Sequence, residues 1–158
     1  MTRPRHVHSD KIKAFYVTTN TCNRFPAFAD RRFAQLMMDA IFYARNYKWY
    51  FLFGFVVMPD HMHLLFSPRE MSKPDIIRGL KGYTARMINK QTNFAGSFWQ
   101  AGYIDFPINS REIAEQKLAY IEQNPVKARL VKNARDYPFS SAGKHDKLDL
   151  HMMRSLFE

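Results

Sequence analysis

The chain has 158 residues, 46% of them hydrophobic and 15% aromatic, which suits one folded domain and excludes a disordered tail. Its only cysteine, Cys22, excludes an internal disulfide or a cysteine-rich zinc site and favours a reducing cytoplasm. The formal net charge of +10 predicts a polyanionic partner, usually nucleic acid. The longest apolar run, residues 49–58, is too short for a membrane helix. The N-terminal residues are not followed by the hydrophobic segment of a secretory signal, so none is expected.

Strands and helices are predicted to alternate along the first half of the chain. Residues 14–21 are rich in aromatic and β-branched side chains, as in a strand, and apolar residues recur at helical spacing over residues 31–47. Residues 50–57 form an apolar run typical of a central strand. A Pro-Asp turn then predicts a hairpin with a second strand over residues 61–66.

The second half continues this alternation. A helix over residues 73–91 is followed by a short edge strand over residues 103–108. Another helix is predicted to open at residues 109–112, where an N-cap pattern has a Glu three residues on, and to run to about residue 123. Pro125 is predicted to end that last helix, because the residue before a proline is pushed out of the α region.

This order of elements predicts a ferredoxin-like α+β sandwich with a central antiparallel sheet and an added C-terminal helix. We expect a single domain with a core over about residues 14–142. A basic N-terminal arm over residues 1–13 and a C-terminal extension over residues 143–158 would flank it.

Two histidines stand one residue apart in the strand after the hairpin turn. Because side chains alternate along a strand, His61 and His63 should project from the same face and could ligate one cation. The pattern by itself is weak, and a pair of hydrogen-bonded strand histidines is the alternative.

The helix before Pro125 strengthens the metal interpretation. Tyr120 and Asn124 are four residues apart, so a phenol and a carboxamide lie on one helix face. A cation held by two imidazoles and one amide would keep positions open for phosphodiester oxygens. A neighbouring tyrosine could then attack phosphorus, although a phenol that titrates near about 10 needs activation. The alternative is that Tyr120 only packs in the core.

Together these motifs resemble a known family. The sequence Met58-Pro-Asp-His-Met-His63 and, about sixty residues later, Tyr120-Ile-Glu-Gln-Asn-Pro-Val-Lys-Ala128 resemble single-tyrosine HUH transposases, and more narrowly the REP-associated tyrosine transposases of bacteria. The similarity extends to Phe98-Trp-Gln100 and Tyr137-Pro-Phe-Ser-Ser141, and it covers about residues 14–142.

The resemblance implies an enzyme that nicks and rejoins single-stranded DNA beside an imperfect hairpin. Tyr120 would be the catalytic nucleophile on a catalytic C-terminal helix, and His61, His63 and Asn124 would bind Mg²⁺ or Mn²⁺. Cleavage would leave a 5′-phosphotyrosine and a free 3′-OH. The resemblance leaves a monomer or a homodimer open.

A basic window in the chain predicts a DNA path, since no Asp or Glu occurs between residues 76 and 103. Aromatic side chains interleave with its cations and could stack unpaired bases. The residues expected to bind DNA are Arg3, Arg5, Arg78, Lys81, Tyr83, Arg86, Lys90 and Lys127.

Two other functions fit the same motifs. A non-catalytic ferredoxin-like module could bind single-stranded DNA or RNA, with the histidine pair serving structure alone. A metal-dependent phosphodiesterase could instead use water, with Tyr120 as a bystander. Covalent attachment of DNA to the protein separates both from the transposase.

Overall fold

A four-stranded antiparallel sheet with four α-helices forms the protein, as seen in a computed structural model that describes residues 12–158. The elements are β1 (Ala14–Asn20), α1 (Arg31–Asn46), β2 (Tyr50–Met58), β3 (His61–Pro68), α2 (Lys73–Gln91), β4 (Ile104–Ile108), α3 (Arg111–Lys127) and α4 (Leu150–Leu156). The strands are ordered β2-β3-β1-β4, so β3 lies between β2 and β1. This confirms the predicted α+β fold and its antiparallel sheet.

Local capping explains where the helices begin. Asp30, Ser72 and Ser110 each accept a hydrogen bond from a backbone N–H in the first turn of α1, α2 and α3. Such caps satisfy donors that have no partner inside the helix. The predicted starts of all three helices are therefore close to the observed ones.

The predicted end of α3 was wrong. The helix continues through Pro125 to Lys127, and the Ala128 N–H still donates to the Asn124 carbonyl over 3.0 Å. A proline near the end of a helix removes only one backbone hydrogen bond. The Pro125 ring is buried, and the helix continues past it. Asn124 consequently lies inside the helix and not at its end.

The two faces of the sheet carry different layers. α1 packs on β2 and on α2, and the Tyr50 hydroxyl donates to the Ile41 carbonyl over 2.7 Å. α3 packs on the opposite face against β2 and β3, where Leu118 lies over Gly54. The basic helix α2 and the helix that carries Tyr120 are thus on opposite sides of the sheet.

The C-terminal segment closes the exposed edge of β2. Val57 donates to the Phe139 carbonyl over 2.8 Å, and Ser141 donates to the Phe55 carbonyl over 2.9 Å. α4, which the sequence did not predict, follows Asp149, whose carboxylate binds Arg45 and the Leu52 N–H. Within residues 12–158, none of the helices combines the length and the hydropathy that a membrane crossing requires.

Candidate active site

The histidine pair lies at the start of β3, in the middle of the sheet. His61 faces Asn20 of β1 across the sheet, and His63 faces Thr18. Strand alternation places both imidazoles on the face covered by α3, and their ring centroids are 4.8 Å apart. The predicted common face is therefore present.

Each imidazole is oriented by oxygens near its Nδ1 atom. The Nδ1 of His63 is 2.9 Å from the Tyr16 hydroxyl and 2.8 Å from the Thr18 hydroxyl. The Nδ1 of His61 is 2.7 Å from Asp60 Oδ1. When these nitrogens carry the protons and donate them, each ring keeps Nε2 available as a ligand atom.

The environment holds His63 neutral. Its side chain is almost fully buried, and this burial, together with the charges of His61 and Arg24, lowers the pKa of His63 to about 3. Burial likewise raises the pKa of Tyr16 to about 12, so its phenol stays protonated. Neutral imidazole is the form that binds a metal ion, so His63 needs to release no proton.

Asp60 joins His61 to a neighbouring loop. Its second carboxylate oxygen accepts from Arg24 Nε over 2.9 Å. Burial alone would raise the pKa of Asp60, but the hydrogen bonds with Arg24 and His61 lower it overall. The carboxylate is therefore ionised at neutral pH and suited to hold His61 in one orientation.

Tyr120 of α3 lies directly beside this pair. Its ring centroid is 6.1 Å from His63 and 6.3 Å from Tyr16, in edge-on contacts with both rings. The residue is 46% exposed, so a large substrate can reach it. Asn124 follows one helical turn later and is partly buried.

These residues fit a divalent cation with open coordination positions. In residues 12–158 no three His, Cys, Asp or Glu side chains cluster in a way that could hold a metal ion. A third protein ligand beside the two imidazoles would thus be of another type, as an Asn124 amide would be. Two imidazoles whose Nδ1 atoms lie within hydrogen-bond distance of oxygens are a ligand pair of the kind that metal sites use.

The helix that carries Tyr120 is anchored by a partly buried carboxylate. Glu122 accepts a hydrogen bond from the Ser141 hydroxyl over 2.9 Å and from His145 Nε2 over 2.8 Å. Ser141 itself accepts from the Phe55 N–H of β2. These contacts tie α3 to the sheet and to the C-terminal segment, which limits how far Tyr120 can move relative to His63.

Two lysines on α3 bring positive charge to the site. Lys127 lies 5.1 Å from the Tyr120 ring centroid, and Lys117 lies 5.1 Å from the Tyr16 ring centroid. Both are within cation–π distance and could also approach a phosphate. Lys127 was among the residues predicted to bind DNA, whereas Lys117 was missed.

The other predicted DNA-binding residues lie elsewhere. Those on α2 occupy the layer opposite Tyr120, and they are Arg78, Lys81, Tyr83, Arg86 and Lys90. Arg78 pairs with Asp75 over 3.0 Å, and Lys81 donates to the carbonyls of Gln100 and Gly102. Arg3 and Arg5 fall outside the described residues.

Several residues of the site were not predicted from the sequence. Tyr16 and Thr18 are in β1, 45 or more positions before His63, and only the register between β1 and β3 brings them together. Asp60 was seen only as a turn residue, although its position next to His61 was a usable signal. Lys117 gave no signal, because one lysine on a helix is ordinary.

The fold of the chain is similar to that of two solved structures. A solved REP-associated tyrosine transposase bound to a REP hairpin aligns with 100% of this chain and 89% of its own, with a TM-score of 0.72 and 22% identity. A structure from Deinococcus radiodurans R1, described as a candidate transposase, aligns with 78% of this chain and 97% of its own, with a TM-score of 0.52 and 23% identity.

Sequence comparison gives the family. The REP-associated tyrosine transposase of Escherichia coli (strain K12) is 27% identical over 132 residues, which are 80% of this chain and 74% of the relative. The family described as "Transposase IS200 like" matches residues 12–124. The chain belongs to this family of transposases, and the predicted resemblance is confirmed at that level.

Proposed function

We propose that the protein nicks and rejoins single-stranded DNA through a covalent bond to Tyr120, at hairpin DNA of the REP type. The observation that carries this proposal is the Tyr120 ring beside His63, 6.1 Å between centroids, on a half-exposed surface. A tyrosine that only packs in the core would be buried, whereas Tyr120 is half-exposed. Its position beside two oriented histidines favours a part in the reaction. The hairpin is inferred from the DNA in the related complex.

The chemistry exchanges one phosphodiester for another. The Tyr120 oxygen attacks phosphorus, the bond from phosphorus to the 3′ oxygen breaks, and the downstream strand is left as a 5′-phosphotyrosine. The phenol loses its proton and the departing 3′ oxygen gains one. A 3′-OH from another strand can reverse the step and join, because the number of phosphoester bonds is unchanged.

The residues of the site divide the remaining tasks. His61, His63 and Asn124 would hold a divalent cation, Mg²⁺ or Mn²⁺, which when bound supplies polarisation of the phosphate. Asp60 and Thr18 hold the two imidazoles in position through Nδ1. Lys117 and Lys127 offset phosphate charge near the rings of Tyr16 and Tyr120.

The test is covalent capture of labelled DNA. The wild-type protein, incubated with a labelled single-stranded hairpin and Mn²⁺, should give a protein–DNA adduct on a denaturing gel, and the adduct should map to the peptide that contains Tyr120. Tyr120→Phe keeps the ring and removes the attacking oxygen, so the adduct and strand joining should vanish while DNA binding persists.

Tyr103→Phe is the matched control, since Tyr103 is a partly buried tyrosine outside the site. It should form the adduct as the wild type does. An adduct on another tyrosine would overturn the assignment of Tyr120. Cleavage without any adduct would instead favour a water-dependent phosphodiesterase, and binding without cleavage a non-catalytic module.

A further inference from the structure

A small apolar cavity lies where the loop after β1 meets the start of α1 and the end of α2. Its volume is about 310 Å³, and its walls are apolar except for Asp30 and Thr92. Phe25 and Phe94 stand at this cavity with 53% and 39% of their surfaces exposed. Their ring centroids are 5.9 Å apart, with an angle of 33° between the ring planes. Both rings therefore lie side by side with part of their surface open to solvent.

The backbone before Phe25 is strained and firmly held. Asn23 and Arg24 have φ values of 53° and 56°, in the left-handed region that residues other than glycine rarely adopt. Three hydrogen bonds fasten this loop: Thr21 N–H to the Asp60 carbonyl, Cys22 N–H to the Phe98 carbonyl, and the Thr21 hydroxyl to the Phe25 carbonyl. The exposed Phe25 ring is therefore carried by an ordered backbone.

The same loop is linked to His61 through Asp60. Arg24, the residue before Phe25, donates to Asp60 over 2.9 Å, and Asp60 is 2.7 Å from His61 Nδ1. The aromatic cavity and the candidate metal ligand are thus connected by one ion pair and one hydrogen bond. Arg24 is paired with Asp60, but 55% of its side chain is exposed and it directly precedes Phe25 in the chain, so its guanidinium is accessible to a phosphate.

The size, aromatic walls and nearby charge of the cavity indicate which ligand it would bind. A cavity of about 310 Å³ lies at the small end of ligand sites and suits one flat ring system. Exposed aromatic faces beside cations are how proteins bind unpaired bases of a single strand, by stacking on the base and attracting the phosphate. Asp30 adds little net negative charge here, because it is paired with Arg32 over 2.7 Å.

We propose that Phe25 and Phe94 form a stacking subsite for one unpaired base of a DNA single strand that also reaches the histidine pair. This inference rests on the proposed function and adds to it a site that binds the strand close to the reacting phosphate. Stacking uses the aromatic face of the base, so the subsite should accept any of the four bases but should not bind a strand without bases.

The experiment compares two probes that differ only in their bases. One is a fluorescein-labelled oligothymidine of about 20 nucleotides, longer than the site of a single strand-binding domain, and the other is an abasic spacer strand with the same number of phosphates. Affinity is measured by anisotropy without divalent cation, at one salt concentration. Phe25→Ala should weaken oligothymidine binding by about fivefold or more and leave the spacer unchanged, whereas Phe25→Trp should retain the wild-type preference.

Tyr43→Ala is the matched control, because Tyr43 is 55% exposed and lies near the far end of α1. It should leave the ratio of the two affinities unchanged. Phe94→Ala provides the second test and should act like Phe25→Ala.

Two results would overturn the subsite. One is equal weakening of both probes by Phe25→Ala, which would indicate a loss of phosphate contacts or of fold. The other is no weakening of either probe, which would leave the cavity to some other partner. Because these measurements need no cleavage, the subsite can fail while Tyr120 still forms its adduct, and the adduct can fail while the subsite still binds the base.

Discussion

Gly54→Ala should disturb the helix that carries Tyr120 without touching any residue of the site. A Cβ atom at Gly54 would lie 2.6 Å from Leu118 Cδ1, about 1 Å closer than the optimal separation of two carbon atoms. Leu118 is two residues before Tyr120 on α3. The clash can be relieved by a new side-chain position of Leu118 or by a shift of α3 of up to about 1 Å.

The expected magnitudes follow from this contact. Overpacking costs about 1–3 kcal/mol, and the alanine regains roughly 0.5–1 kcal/mol by restricting the unfolded chain, so the free energy of unfolding should fall by up to about 2.5 kcal/mol. A misplacement of about 1 Å can slow a reaction by roughly two orders of magnitude, so we expect adduct formation to fall by about 10- to 100-fold. The rate is measured by denaturing gel at a temperature where the variant is folded.

Two further variants make the result specific. Leu118→Val removes the clashing methyl, so combining it with Gly54→Ala should recover adduct formation. Gly79→Ala clashes with the Trp49 ring at 2.8 Å on the opposite layer and should lower stability while preserving the rate. An unchanged rate in Gly54→Ala, or an equal loss in Gly79→Ala, would refute the link between this contact and the position of Tyr120.

Three other predictions follow from single contacts. Gly82→Ala should raise the free energy of unfolding by about 1 kcal/mol, because alanine favours a helix interior more than glycine does. The new Cβ would meet only the flexible end of Arg86, 3.7 Å away within α2, and a lower melting temperature would contradict this. Asp60→Asn should weaken Mn²⁺ binding by about 10- to 100-fold in calorimetry, because the anion no longer orients His61; unchanged affinity would show that His61 needs no such partner. Asp149→Ala should cost about 2–4 kcal/mol at pH 7, because it removes the buried partner of Arg45. Burial alone would raise the pKa of Asp149, but the hydrogen bond from Arg45 and the backbone bond lower it below its usual value, so its stabilisation is present above about pH 4 and lost as the pH falls through the lowered value. The difference between wild type and variant in denaturant unfolding should therefore shrink as the pH falls below about 4, and a difference that stays constant into acid would contradict the assignment.

Patterns along the chain were enough for the class of fold. Runs rich in aromatic, β-branched and other apolar residues marked the strands, and the predicted starts of the first three helices lie close to the observed ones. These signals are local, because each depends on backbone hydrogen bonds or side-chain directions within a few residues. The common face of His61 and His63 is local in the same sense, because strand alternation alone puts residues two apart on one side of a sheet.

Contacts between distant segments decided the rest. Pro125 was expected to end α3, but the helix continues past its buried ring, so Asn124 lies inside the helix. The register of β1 against β3 brings Tyr16 and Thr18 to His63, and the layer order puts the basic helix α2 across the sheet from Tyr120. A sequence reports which side chains share a face of one element, but packing between elements decides which faces meet, because that choice is made by burial of the whole core.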